Sequence, residues 1–279
     1  MFSMNRLSTE ERVRVVRCLV DGCSMRATAR IVGVARNTIN KLLIELGVAS
    51  SKFQDATLRG LACKRVQVDE AWAFCYCKQK NVTDEIAERQ IAGDIWTWAA
   101  IDADTKLVPC WTLGKRDAET AEIFVSDLAS RLADRVQLTS DGLGAYLTAV
   151  LNAFGEAVDY AQLVKVYEQD YEGQRRYSPP ECVTCDKTSI IAEPDPVHIS
   201  TSYIERQNLT MRMGMRRFTR LTNAFSKSIT HHTAAVSLHM MYYNFGRIHQ
   251  TLKTTPAVAA GVADHVWSIE ELIALLNSN

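Results

Sequence analysis

The sequence predicts an α/β (α+β) fold, with a small trihelical unit followed by a mixed sheet and helices packed on it. Three observations carry that expectation. Capped apolar runs at helical spacing fill the first fifty residues, β-branched runs alternate with helical ones from residue 66 to 167, and helical periodicity returns after residue 200. A chain of 279 residues is long enough for one sizeable core plus a small module.

The N-terminal unit is read first. Ser8-Thr9-Glu10-Glu11 has the form of a capping box, and Val13, Val16, Leu19 and Val20 recur at helical spacing up to Gly22. Ser24 caps a second helix, Met25 to Val32, which stops at Gly33, and a third helix runs from near Ala35 to Gly47. That spacing is a helix-turn-helix over residues 1–50. Its third helix exposes Arg36, Asn37, Asn40 and Lys41, side chains that reach base edges and phosphates from a helix in the major groove. Residues 51–65 lack a strong period and read as a linker.

The central block, 66–253, follows. Val66 to Phe74 is a half-buried strand, with Val66, Val68, Trp72 and Phe74 sharing one parity. Neighbouring strand residues face opposite ways, so Asp69 and Glu70 are not expected in one site. Ile95 to Ile101 and Leu107 to Leu113 form a hairpin about the polar tip Asp102-Ala103-Asp104-Thr105, whose acids are expected to bond local backbone. A helix over 118–132, a strand from Arg135 that ends in Asp141-Gly142, a helix from Tyr146 to Phe154 and a strand from Val158 to Tyr167 come next. Residues 170–200, holding four of the six prolines, read as an insertion. Ser202 to Arg212 begins another helix, Ile229 to Phe245 is a largely buried one, and residues 254–279 form a helical tail that includes the capping box at Ser268.

No apolar run reaches the roughly 18–20 residues that a membrane span needs, and no secretory signal pattern opens the chain, so a cytoplasmic protein is expected. Eight scattered cysteines point to reduced thiols. Cys182 and Cys185 have metal-knuckle spacing, but no second close ligand pair follows, which argues against zinc. His231, His232, His239 and His249 sit at no firm metal spacing either, and read as packing or phosphate-contacting groups. The zero net charge hides a segregation: residues 1–60 carry +5, 206–253 carry +8 with no acid, and 61–205 carry −10. Basic flanks around an acidic core suit phosphate contacts about a metal site.

Alone, Asp69, Asp141 and Glu205 would each pass for a cap, turn or surface residue. Together, an Asp in mid-strand, an Asp at another strand's end and a Glu on a later helix make the arrangement that holds two Mg²⁺ ions beside a phosphodiester. Glu205 shares a helical face with Asn208 and Arg212, and basic residues continue through Arg206, Arg216, Arg217 and Arg220.

The segments VQVDEAW, TSDGLGAY and SYIERQNLTMRM resemble the catalytic blocks of DDE transposases of the insertion-sequence-one family, with a ribonuclease-H-like core. RRFTRLTNAFSK and YNFGRIHQTLKTTPAVAAGV are similar to that family's C-terminal region and to the ending of many integrases. The resemblance implies Asp69, Asp141 and Glu205 as catalytic metal ligands, Arg212 as the basic residue after the Glu, and Glu70 as no ligand. It further implies two Mg²⁺ (or Mn²⁺) ions as cofactors and a bacterial, DNA-associated protein. Its partners would be double-stranded DNA, both insertion-sequence ends and target, in a homo-oligomeric complex without a membrane. The rival expectations are a non-catalytic DNA-binding regulator, against which all three acids and Arg212 speak, and a ribonuclease-H-like nuclease.

Overall fold

A computed structural model describes residues 7–167, 182–219 and 222–277. Three helices open it: α1 (Thr9–Val20), α2 (Met25–Val32) and α3 (Arg36–Thr57). The capping box forms, since Ser8 Oγ accepts from Glu11 N at 3.2 Å and Glu11 returns the bond to Ser8 N at 2.8 Å. Ser24 Oγ accepts from Ala27 N at 3.1 Å. Gly33 closes α2 in the left-handed region, φ 78°, where a side chain would be strained.

Helix α3 does not stop at Gly47. It continues to Thr57, so part of the stretch that reads as a linker is helical. Gly47 is helical because α3 crosses α8 (Ile229–Met241) there, and a β carbon would come within 2.5 Å of Ala234 Cα. Ser237 Oγ donates to the Gly47 carbonyl at 2.7 Å, and Gln54 Nε2 donates to Ser237 O at 3.3 Å. The glycine serves a close approach between helices, which sequence spacing alone cannot distinguish from a helix end.

Six strands, β1 (Arg65–Cys75), β2 (Gly93–Asp102), β3 (Trp111–Gly114), β4 (Val136–Ser140), β5 (Val158–Tyr167) and β6 (Cys182–Ile191), form one sheet in the order β3-β2-β1-β4-β5-β6. The pairs β1–β2, β2–β3 and β5–β6 are antiparallel; β1–β4 and β4–β5 are parallel. A short helix α4 (Asp84–Arg89) lies between β1 and β2, while α5 (Ala118–Arg131) and α6 (Ala145–Phe154) make the parallel connections. This is the mixed α/β class that the sequence predicts, and it agrees with a ribonuclease-H-like core.

Two further elements differ from expectation. The third strand is shorter because the Asn244 side chain takes both backbone groups of Val108, in bonds of 3.0 and 2.9 Å, where a strand partner would be. Within the expected insertion, β6 pairs with β5. Its residues from Thr184 to Ile190 are all exposed, so it carries no alternating apolar signal. Residues 168–181 of that insertion lie outside the described residues, as does the side chain of Cys182.

Alternation along β1 and β2 builds two faces. Val66, Val68, Trp98 and Ala100 pack with Phe124, Leu128 and Tyr146 of α5 and α6, in a cluster that also takes in Val16, Leu42 and Leu46 of the N-terminal helices. Ala71, Ala73, Ala99 and Ile101 pack with Val236 and Met240 of α8 and with Ile204 and Met211 of α7 (Ser202–Gly214). Beyond α8 the chain makes a π-helical turn, Tyr242–Gly246, then α9 (Pro256–Ala259) and α10 (Ile269–Ala274), the latter with its capping box formed at Ser268.

Candidate active site

The parallel pairing of β1 with β4 sets the site. Gln67 lies opposite Thr139, so two residues on, Asp69 comes level with Asp141 just past the end of β4. Asp69 points to the α7 face, where Asn208 Nδ2 donates to its Oδ2 at 2.8 Å. Glu70 points to the α6 face, beside Tyr146. Alternation therefore holds, but it does not keep Glu70 away. Asp141 sits where β4 no longer separates the two faces, and one oxygen each of Asp69, Glu70 and Asp141 lies within 4.8 Å of the others.

Arg116, which no sequence pattern singled out, ties two of these acids together. Its Nε donates to Glu70 Oε2 at 3.1 Å and its Nη2 to Asp141 Oδ2 at 3.3 Å, with the guanidinium 5.1 Å from the centroid of the Trp96 ring. Burial, with repulsion from Asp141 and Glu205, raises the Asp69 carboxyl to about 6 against the downward pull of Asn208. Burial, with repulsion from Asp141 and Asp69, raises Glu70 to about 7, although Tyr146 and Arg116 act to lower it.

Helix α7 is held to the sheet by a device that is invisible in the sequence. Gln67 Oε1 accepts from the backbone N–H groups of Tyr203 (2.9 Å) and Ile204 (3.2 Å), capping the helix from a distant strand. The Thr201 hydroxyl instead donates to Glu205 Oε1 at 2.7 Å. Glu205 is one turn before Asn208, but its carboxylate pairs with Lys165 of β5 and lies outside the compact group of three acids. Arg212 is half-buried, one turn beyond Asn208.

The remaining expected contacts divide. Arg36, Asn37, Lys41, Arg206 and Arg216 are exposed, and Asn40 is half-buried. Asn208 is buried and committed to Asp69, because its face of α7 packs on β1, so it does not face outward to DNA. Arg217 also turns inward: its Nη1 donates to Ser226 Oγ at 3.1 Å, and Ser226 in turn bonds His232 Nδ1 at 2.7 Å. Arg220 lies outside the described residues.

The donor set fits a hard divalent cation. Carboxylate oxygens bind Mg²⁺ or Mn²⁺ at about 2.0–2.2 Å, so opposite ligands on one ion stand about 4–4.5 Å apart. The 4.8 Å grouping is of that size. Burial, with like charge nearby, raises Asp69 and Glu70, and a dication offsets both by stabilising the ionised carboxylates.

No family model and no curated protein matches the chain. Among solved structures it is similar to a piggyBac transposase synaptic complex with hairpin DNA. The identity is 11% and the TM-score 0.40, over 99% of this chain and 73% of that one. Among the described residues, no helix is long and apolar enough to cross a membrane.

Proposed function

We propose that this chain is a DDE transposase resembling the insertion-sequence-one family, which binds the ends of a DNA element and catalyses strand cleavage and strand transfer. The observation that carries the reading is the level placement of Asp69 and Asp141 on parallel neighbours, with α7 bringing Asn208 to Asp69 and carrying Glu205 one turn earlier, on Lys165. That is a site for phosphodiester chemistry on a ribonuclease-H-like sheet, grafted beside a basic trihelical unit, residues 1–50, which serves DNA binding.

When bound, two Mg²⁺ or Mn²⁺ ions would activate the attacking oxygen and stabilise the leaving one. Asp69 and Asp141 would hold them, with Glu205 completing the set once it leaves Lys165, or Glu70 once it leaves Arg116. Asn208 orients Asp69 by its hydrogen bond, and Arg212, one turn further, would meet a scissile phosphate with positive charge. Water would free a 3′-hydroxyl at the element's end, and that hydroxyl would then attack target DNA. Arg36, Asn37, Asn40 and Lys41 would contact end DNA, Arg206 and Arg216 its phosphates, in a homo-oligomeric complex.

Asp69→Asn and Asp141→Asn should keep binding to end DNA and lose Mg²⁺-dependent nicking by about 10³-fold or more. Glu205→Gln and Glu70→Gln, compared in the same assay, identify the third carboxylate as whichever change abolishes nicking. Cleavage retained by Asp69→Asn would remove the carboxylate site from the reaction.

A further inference from the structure

A cleft of about 830 Å³ opens between the start of α3 and two stretches, 215–217 and 222–239. Arg26, Arg36, Arg216 and Lys227 are among its lining residues, and among the described residues no Asp or Glu lines it. None of these four cations makes an ion pair among the described residues; Lys227 lies over the Phe225 ring. Slight desolvation, with repulsion from Arg26, lowers the Lys227 ammonium even though its side chain is exposed. The result is a concave surface of uncompensated positive charge.

Two further features aim at an anionic, hydrogen-bonding ligand. Helix α3 starts at the cleft without a side-chain cap and without an acid in its first turn, so its leading N–H groups and dipole are open to an anion. His239, 6% exposed, lines the cleft with a buried Nε2 that has no partner among the described residues. Burial lowers the His239 imidazole to about 4, so it stands neutral and offers a hydrogen bond rather than a charge.

The shape decides what the ligand is. The first turn of α3, with Arg36, Asn37 and Asn40, forms one wall of the hollow, while Lys41 lies outside it. A hollow of this volume matches pockets for small ligands, roughly 300–1,000 Å³, and so takes one strand of a few nucleotides but not a double helix. We infer that the cleft binds a segment of single-stranded DNA, with phosphates on Arg26, Arg36, Lys227 and the α3 N-terminus, and base edges toward Asn37, Asn40 and His239. This rests on the reading that the protein acts on DNA, and it adds that unpaired strand is a ligand beside duplex.

Fluorescence anisotropy of the full chain with a labelled 15-nucleotide single strand, and with the same sequence as a duplex, tests it across a salt series. The double substitution Arg26→Ala, Lys227→Ala removes only exposed side chains. It should weaken single-strand binding at least tenfold and reduce the salt slope by about 1.4, at about 0.7 per lost phosphate contact. Duplex binding should change less than twofold. Lys41→Ala, outside the cleft, should leave single-strand binding intact, as should Asp69→Asn, which separates this inference from the cleavage reading. No single-strand binding by the wild type, an unchanged single-strand affinity in the double variant, or equal losses for strand and duplex would each overturn it.

Discussion

Gly47→Ala should destabilise the protein, although the same change inside an ordinary helix stabilises by about 1 kcal/mol through propensity. The added methyl would lie 2.5 Å from Ala234 Cα and 2.8 Å from Ala234 O, where carbon contacts settle at about 3.5–4.0 Å. Helices α3 and α8 must then move apart by about 1 Å, and overpacking of that kind costs about 2 kcal/mol. The same movement stretches the Ser237-to-Gly47 and Gln54-to-Ser237 hydrogen bonds, together about 1 kcal/mol. The propensity gain offsets about 1 kcal/mol, leaving a net loss of about 2 kcal/mol, or about 3–4 °C in Tm for a chain of this size. Circular-dichroism melting and the urea midpoint read it directly. Ala234→Gly in the same chain should recover part of the loss, since the two sites are in contact. A Tm that stays the same or rises in Gly47→Ala would show that the helices do not cross there.

Two further outcomes follow from the buried polar groups. Gln67→Leu, nearly isosteric, strands the Tyr203 and Ile204 N–H groups and should cost about 2 kcal/mol. It should also weaken Mn²⁺ binding followed by paramagnetic resonance, because α7 carries Asn208 and Glu205; an unchanged Tm would reject the remote cap. In acid, His232 and His239 are bases held down to about 4 from an ordinary 6.5, so the stability they contribute is whole above about pH 6.5 and is lost as pH falls towards 4. The loss is at most about 3 kcal/mol per histidine, and His232→Gln should flatten the unfolding free energy over that window; a flat wild-type profile would contradict burial of the two rings in neutral form.

Much of the candidate site was legible in local chemistry, and the misses have a common cause. Asp69 reads as a strand acid because β-branched residues flank it, Asp141 as a strand-end acid because Gly142 follows, and Glu205 as helical from its i, i+3, i+4 neighbours. Parity sends Asp69 and Glu70 to opposite faces, but it does not keep Glu70 apart from Asp69 and Asp141, because β4 ends one residue before Asp141. Arg116 carries no local mark at all; only the crossing of β3 and α5 beside β1 brings it to two acids. Arg217, basic in a basic stretch, could not be told from its exposed neighbour Arg216 until the Ser226 pairing was in place.

The sequence by itself determined where the capped helices begin, at Ser8, Ser24 and Ser268, and, through apolar periods of 3.6 and 2, which of the central segments are helices and which strands, because those interactions act within a few residues. Only the tertiary structure decided what those elements meet: that Gly47 marks a crossing and not an end, that Asp69 stands level with Asp141, that Gln67 caps a helix 136 residues away, and that β6 is a strand. Register, close approach and remote hydrogen bonding are properties of pairs distant along the chain, so no local pattern records them.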